Sequence, residues 1–152
     1  MAGLFYEEFE LGQIFEHPIR RTITETDNVL FTTMTHNPAR LHLDEEYMKK
    51  ESPYGTRIVN STFTLALMVG ISVHETTLGT TAANLGWDEV RFPKPLFHGD
   101  TLRVETEILD KRLSKSRPDN GIVVFQHRAY NQKNELVASC KRSGLMLRKS
   151  ND

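Results

Sequence analysis

His42 is the side chain whose surroundings most invite a chemical reading, because an amide, Asn37, stands five residues before it. Imidazole exchanges a proton near neutral pH, whereas an amide can only donate and accept hydrogen bonds. The run Asn37-Pro38-Ala39-Arg40-Leu41-His42 sets the two groups on either side of a proline-containing turn that could aim both at one point. The acidic stretch Asp44-Glu45-Glu46 reads as a helix start that would fix the exit from that turn. A histidine between Leu41 and Leu43 fits a core or turn position equally, and the residues alone leave both readings open. The second point of interest is Asn60-Ser61, read as another helix start. Its first N–H groups lack partners inside the helix and the dipole favours negative charge there. A developing oxyanion would fit, and so would an ordinary N-cap.

Other reactive residue types carry less. Cys140 is the only cysteine and sits in the strand-like run Val137-Ala138-Ser139-Cys140-Lys141, which reads as a small apolar filler. His98-Gly99-Asp100 reads as a structural turn. His36, His74 and His127 lack metal-ligand spacing with acidic or cysteine partners, so no metal is expected. The sequence contains no glycine-rich phosphate loop and no serine nucleophile elbow.

The elements that must position these residues follow from patterning. Gly12 to Thr24 reads as an extended lead-in with Ile14, Phe15, Ile19 and Ile23 among polar residues. Thr26 or Asp27 is expected to cap a helix whose Val29, Leu30, Thr33 and Met34 share its apolar side, and Asn37-Pro38 stops it. Leu41-His42-Leu43 is too short to be an element, and Asp44 caps a short helix from Glu45 to Lys50. Asn60 or Ser61 opens a helix through Phe63, Leu65, Leu67, Met68, Val69 and Ile71 that is apolar almost all round. Such a helix must be wrapped. The wrapper is the β-rich second half: Leu85–Phe92, Thr101–Leu109, Gly121–Tyr130 and Leu136–Leu147, separated by turn residues and hence antiparallel. One buried helix inside an antiparallel sheet is an α+β fold.

A chain of 152 residues with no repeat and no linker is expected to form one domain over 1–152. A formal charge of -1 provides no global field for nucleic acid or an anionic membrane, so anionic ligands must meet locally placed basic groups. The apolar run Phe63 to Val73 is interrupted and far shorter than the roughly 20 residues that cross a bilayer. A lone cysteine and an acidic amino terminus without a signal-peptide pattern point to an intracellular soluble protein, cytoplasmic first, with mitochondrion or peroxisome also compatible.

The order Thr-x-Asn-Pro-Ala-Arg-Leu-His-Leu-Asp-Glu-Glu-Tyr, then Gly-x-Arg-Ile-Val, an apolar helix and Phe-Pro-x-Pro-Leu-Phe-His-Gly-Asp-Thr-Leu resembles the MaoC-like dehydratase family. The resemblance covers nearly the whole chain. It implies a hot-dog fold and acyl-CoA hydratase chemistry of the R-specific enoyl-CoA hydratase type, nearest to the branch acting on mesaconyl- or itaconyl-CoA. In that family an Asp and a His five residues later activate water, and a backbone N–H at the start of the central helix holds the thioester oxygen. The matching positions are Asn37, His42 and Ser61, with Gly70 falling where a helix glycine lines the acyl pocket. Two departures stand out. Asn60-Ser61 replaces the common His-Gly and adds side chains near the acyl group, and Asn37 replaces Asp, which leaves His42 as the only base. A second alignment would put Thr35 at the acid position, with Asp27 as a possible substitute.

The resemblance further implies that coenzyme A enters only as part of the substrate, with no separate cofactor, and that two copies pair with the site between them. Lys94, Lys115 and Arg117 are candidates for the coenzyme A phosphates, and Arg40, Arg57 or Arg91 for a second substrate carboxylate. The rival expectations are an acyl-CoA thioesterase on the same scaffold and a non-catalytic acyl-CoA-binding module.

Overall fold

Leu102, Val104, Thr106 and Ile108 are buried while the residues between them are only partly covered, the period-two signature of a strand with one face in the core. The computed structural model describes residues 3–149. A 3-10 turn at Tyr6–Glu8 leads into two short strands, β1 (Ile14–Glu16) and β2 (Arg21–Thr22). Three helices follow, α1 (Glu25–Met34), α2 (Arg40–Leu43) and α3 (Glu45–Glu51), and then the long helix α4 (Ser61–Thr76). The second half is β3 (Thr81–Arg91), β4 (Thr101–Leu113), β5 (Asn120–Tyr130) and β6 (Leu136–Leu147). These strands form an antiparallel sheet in the order β1-β4-β5-β6-β3, with β2 also pairing β4.

Helix α4 lies along the inner face of this sheet, where Met68 and Ile71 share a core with Leu102, Val104, Ala129 and Val137. Each such side chain contributes on the order of 1.5–3 kcal/mol when fully buried, so this contact is the main support of the site above it. A long helix on a curled antiparallel sheet is the α+β hot-dog arrangement. Cys140 is fully buried in the same core, and burial pushes its thiol up to about 11, which fits a filler.

The sheet packs around α4 as expected and leaves a stripe of Thr62, Ala66 and Gly70 exposed on the far side. Three local expectations are corrected. The N-cap of α1 is Thr24, whose hydroxyl accepts from Asp27 N at 3.1 Å while the Asp27 carboxylate accepts from Thr24 N at 2.8 Å. Its inward face carries Asn28 and Thr32, both fully buried, while Leu30 and Met34 are 59% and 74% exposed. Residues 40–43 form a helical turn of their own, closed by Asp44 N donating to Arg40 O at 2.8 Å. The caps read at Asp44 and Asn60 are present: Asp44 Oδ1 accepts from Tyr47 N at 2.9 Å and Asn60 Oδ1 from Thr62 N at 3.0 Å. Among the described residues no helix is long and apolar enough to cross a membrane.

Candidate active site

The turn after α1 is built from its own backbone. His36 takes a left-handed φ of 55°, Asn37 N donates to Thr32 O at 3.0 Å, and Asn37 Oδ1 accepts from Ala39 N at 2.9 Å. The amide oxygen of Asn37 is therefore committed to the turn, and its Nδ2 protons are what it can offer a water or a substrate.

His42 is buried on α2, and its Nδ1 lies 2.8 Å from the carbonyl oxygen of Ile58. A carbonyl can only accept, so Nδ1 carries the proton and the neutral ring keeps its lone pair on Nε2. Ile58 is held from three sides: its N–H donates to Leu41 O at 3.0 Å, it bridges Phe97, and the next residue, Val59, donates to Leu96 O at 2.8 Å. The imidazole thus hangs on a segment pinned to the β3–β4 connection, three residues before Ser61.

Asn60 is buried at the start of α4; its N–H donates to Asn28 Oδ1 at 2.8 Å and its Nδ2 to Thr32 Oγ1 at 3.2 Å. Ser61 N–H has no protein acceptor among the described residues, as expected for the first residue of a helix. Ser61 is exposed and borders a cleft of about 230 Å³ together with Tyr54, Thr64, Phe92, Lys94 and Val137. An oxygen bearing negative charge at this helix start would meet both the free N–H and the positive end of the dipole.

The other candidates are spread out. Gly70 is exposed on α4, about 15 Å along the helix from Asn60, with open space where a Cβ would stand. Arg57 spans two acids, Nε to Glu45 at 2.9 Å and Nη2 to Glu25 at 2.7 Å, and so ties α3 to α1. Its guanidinium lowers both carboxyl groups below their ordinary range. Lys94 is at the cleft but paired with Glu135. Arg91 ends β3 just before Phe92, exposed, with Nη1 donating to Val90 O at 3.0 Å. Lys115 and Arg117 belong to the β4–β5 hairpin, about 40 Å along β4 from the end that carries Phe97. One chain alone does not bring them to Ser61. Arg40 pairs with Asp44 at 2.9 Å and stacks over Tyr47.

The residues of the second alignment, Thr35 and Asp27, are both engaged in local hydrogen bonds. Thr35 donates its hydroxyl to Phe31 O at 2.9 Å, and Asp27, held down to about 2 by Arg21 and the helix cap, is locked in a two-pronged pair with that arginine.

The sequence pattern described as MaoC like domain matches residues 8–130. The chain belongs to this family. A mesaconyl-CoA hydratase from Cereibacter sphaeroides is 30% identical over 148 residues, covering 97% of this chain and 42% of that protein. The chain therefore spans about two fifths of the curated relatives it matches first. Among solved structures, a monoamine oxidase regulatory protein from Archaeoglobus fulgidus superposes with a TM-score of 0.87 at 27% identity, covering 99% and 98% of the two chains. The R-hydratase PhaJ1 from Pseudomonas aeruginosa gives 0.77 at 28% identity, covering 97% and 88%.

Three residues at the centre of this MaoC-like domain escaped the sequence reading as site residues: Asn28, Thr32 and His98. Asn28 Nδ2 donates to Ile58 O at 3.1 Å and meets His98 Nε2 at 3.0 Å. The signal available was the four-residue spacing of Asn28 and Thr32, one polar stripe on α1, which a search for apolar stripes passes over. Among the described residues no group of three His, Cys, Asp or Glu side chains is placed to hold a metal ion.

Proposed function

We propose that this MaoC-like domain adds water reversibly across the α,β double bond of an enoyl-CoA. The observation that supports it best is His42 held by Nδ1 to the carbonyl of Ile58, which stands three residues before Ser61 and its unpaired N–H, with His42 Nε2 left as a base. In the hydration direction, Nε2 takes a proton from a water held by Asn37 Nδ2, and the hydroxide adds to C3. The electron pair of the double bond moves toward the thioester oxygen, which faces Ser61 N–H. His42, now protonated, returns that proton to C2, so one water is added and the enzyme is unchanged. A well-aimed oxyanion donor is worth about 3 kcal/mol. No separate cofactor is needed, coenzyme A being part of the substrate.

The finer reading is a branched C5 dicarboxylic thioester. It is supported by the mesaconyl-CoA hydratase relative, and Arg91, exposed and next in sequence to the cleft residue Phe92, is the arginine we infer to meet a second carboxylate bidentately. We further infer a homodimer. The uncovered face of α4 and the exposed Leu85 and Trp87 on β3, the terminal strand of the sheet, are surfaces a second copy would cover.

The experiment is a direct assay with crotonyl-, mesaconyl- and itaconyl-CoA, following the enoyl absorbance and free thiol together. Loss of absorbance without thiol supports the hydratase. Thiol release makes the protein a thioesterase, and tight binding without turnover makes it the acyl-CoA-binding module that an amide at position 37 would also suit.

A further inference from the structure

The two halves of the site, the base and the helix start, are joined by one buried amide. Asn28 is fully buried on α1, with Oδ1 accepting from Asn60 N at 2.8 Å and Nδ2 donating to Ile58 O at 3.1 Å and to His98 Nε2 at 3.0 Å. Ile58 O is the same oxygen that receives His42 Nδ1–H at 2.8 Å. We propose that Asn28 is a positioning residue that sets His42 and the Ser61 N–H relative to one another, with His98 holding the amide in place. This inference rests on the hydratase reading of that site.

The orientation of the amide is dictated by the backbone. Asn60 N–H can only donate and Ile58 O can only accept, so a flipped amide would face donor to donor and acceptor to acceptor. With the orientation fixed, the second Nδ2 proton must find an acceptor. His98 Nε2 supplies it only when the ring is neutral and protonated on Nδ1. An aliphatic residue at position 28 would leave a buried N–H without a partner and free the Ile58 segment to shift. Misplacement of about 1 Å at a reacting group costs on the order of 10²-fold in rate.

The same geometry makes His98 sensitive to acid. A proton on Nε2 would point N–H at N–H and push the amide off Ile58 O. The groups that face His98 are Arg57, which opposes a second positive charge, and Glu25 and Glu45, which favour it. Within its own turn, Asp100 is occupied by Phe97 N at 2.8 Å and Gln132 Nε2 at 2.7 Å. Burial and then Arg57 hold the imidazole below its ordinary range, so the neutral form that accepts from Asn28 prevails at neutral pH.

The test compares wild type with Asn28→Asp, Asn28→Ala, His98→Gln and His98→Ala, reading kcat and KM on the enoyl-CoA that wild type turns over and the His98 titration by imidazole NMR. Asn28→Asp keeps the acceptor for Asn60 N but turns an oxygen toward His98, which then gains a proton partner. The expected result is a folded Asn28→Asp protein with kcat down tenfold or more, KM within threefold and the His98 titration moved up by a unit or more. His98→Gln, whose amide oxygen can replace Nε2, retains at least a third of wild-type kcat, while His98→Ala loses tenfold. A folded Asn28→Asp protein with kcat within threefold of wild type overturns the proposal, whether or not Asn28→Ala folds. A wild type inactive on every enoyl-CoA removes the hydratase reading instead, and the NMR arm then decides the geometry: an unmoved His98 titration in Asn28→Asp overturns it, and an upward one upholds it.

Discussion

His42 and Ile58 clasp each other's chain segments: the imidazole Nδ1–H donates to the Ile58 carbonyl at 2.8 Å, while Ile58 N–H donates to the carbonyl of Leu41, the residue before the histidine, at 3.0 Å. This double tie fixes both the tautomer and the position of the ring. It separates the two roles His42 can have, since a side chain that only donates to Ile58 preserves the turn without being a base. His42→Gln and His42→Ala should each lower kcat/KM for the enoyl-CoA by about 10²–10⁴-fold, with the glutamine variant keeping a Tm closer to wild type. Turnover within a few-fold of wild type in the glutamine variant would show that the imidazole is only a structural donor.

Asn37 offers a second test. Its Oδ1 accepts from Ala39 N at 2.9 Å, a bond that an aspartate oxygen can keep, so Asn37→Asp should preserve the turn and add a carboxylate at the position proposed to hold the reacting water. Hydratase turnover should rise by roughly tenfold, a modest part of the range general acid–base groups supply. A fall in turnover in a folded Asn37→Asp protein would mean that the amide is matched to the substrate.

What could be read from the sequence was whatever depends on periodicity or on local capping. Leu102, Val104, Thr106 and Ile108 alternate because one face of β4 is buried, and Asp44 and Asn60 cap because their oxygens reach N–H groups within three residues. Asn28 could not be read this way. Its burial is satisfied by Ile58 O and Asn60 N, 30 and 32 residues further on, and no local pattern marks such a pairing. The exposed Leu30 and Met34 misled for the same reason: apolar spacing says which residues share a helix side, and only the packed neighbours decide which side turns inward. Lys115 and Arg117 were legible as turn residues, but not which end of the sheet their turn occupies.

Arg57 should support the site mechanically. With Glu25 and Glu45 on its two faces and its side chain 15% exposed, it is already paired before any substrate carboxylate arrives. Arg57→Ala should cost about 1 kcal/mol of stability, because Glu25 is largely exposed and such pairs are screened. The ratio of kcat/KM for mesaconyl-CoA over crotonyl-CoA should stay within about twofold, whereas Arg91→Ala should lower that ratio tenfold if a bidentate contact to the second carboxylate is lost. The two ratios, measured side by side, assign the carboxylate partner, and a drop confined to Arg57→Ala would reverse the assignment.

The uncovered side of α4 predicts an assembly that can be broken. Ala66 is exposed in the middle of that helix, and Trp87 on β3 is 46% exposed. Ala66→Glu and Trp87→Asp place charge on surfaces that a second copy would desolvate, at a cost of several kcal/mol per buried unpaired charge. Light scattering should show a dimer for wild type and a shift to monomer for the double variant, with enoyl-CoA turnover falling in parallel. A wild type that is monomeric at assay concentration and fully active would remove the partner from the site.

A directional hydrogen-bond chain on the inner face of the sheet makes the fold acid-sensitive. Arg142 Nε can only donate, so at 3.0 Å it donates to His127 Nε2, and His127 must carry its proton on Nδ1, 2.8 Å from Thr106 Oγ1. Thr106 Oγ1 also lies 2.8 Å from His17 Nε2, and His17 Nδ1 lies 2.7 Å from Glu75 Oε2. Burial first, then Arg142 and His17, hold the His127 titration well below its ordinary 6.5. The folded state therefore resists a proton that the unfolded chain accepts near pH 6.5. The stability tied to neutral His127 is fully present above that pH and is lost as pH falls below it. The loss should approach about 1.4 kcal/mol per pH unit, read from urea unfolding between pH 7 and pH 5. His98, also held below its ordinary range, adds to the same trend, so the comparison that isolates His127 is His127→Gln. A glutamine can accept from Arg142 and donate to Thr106 but cannot be protonated, and its stability should decline more gently over that interval. Equal slopes in the two proteins would place the acid sensitivity elsewhere.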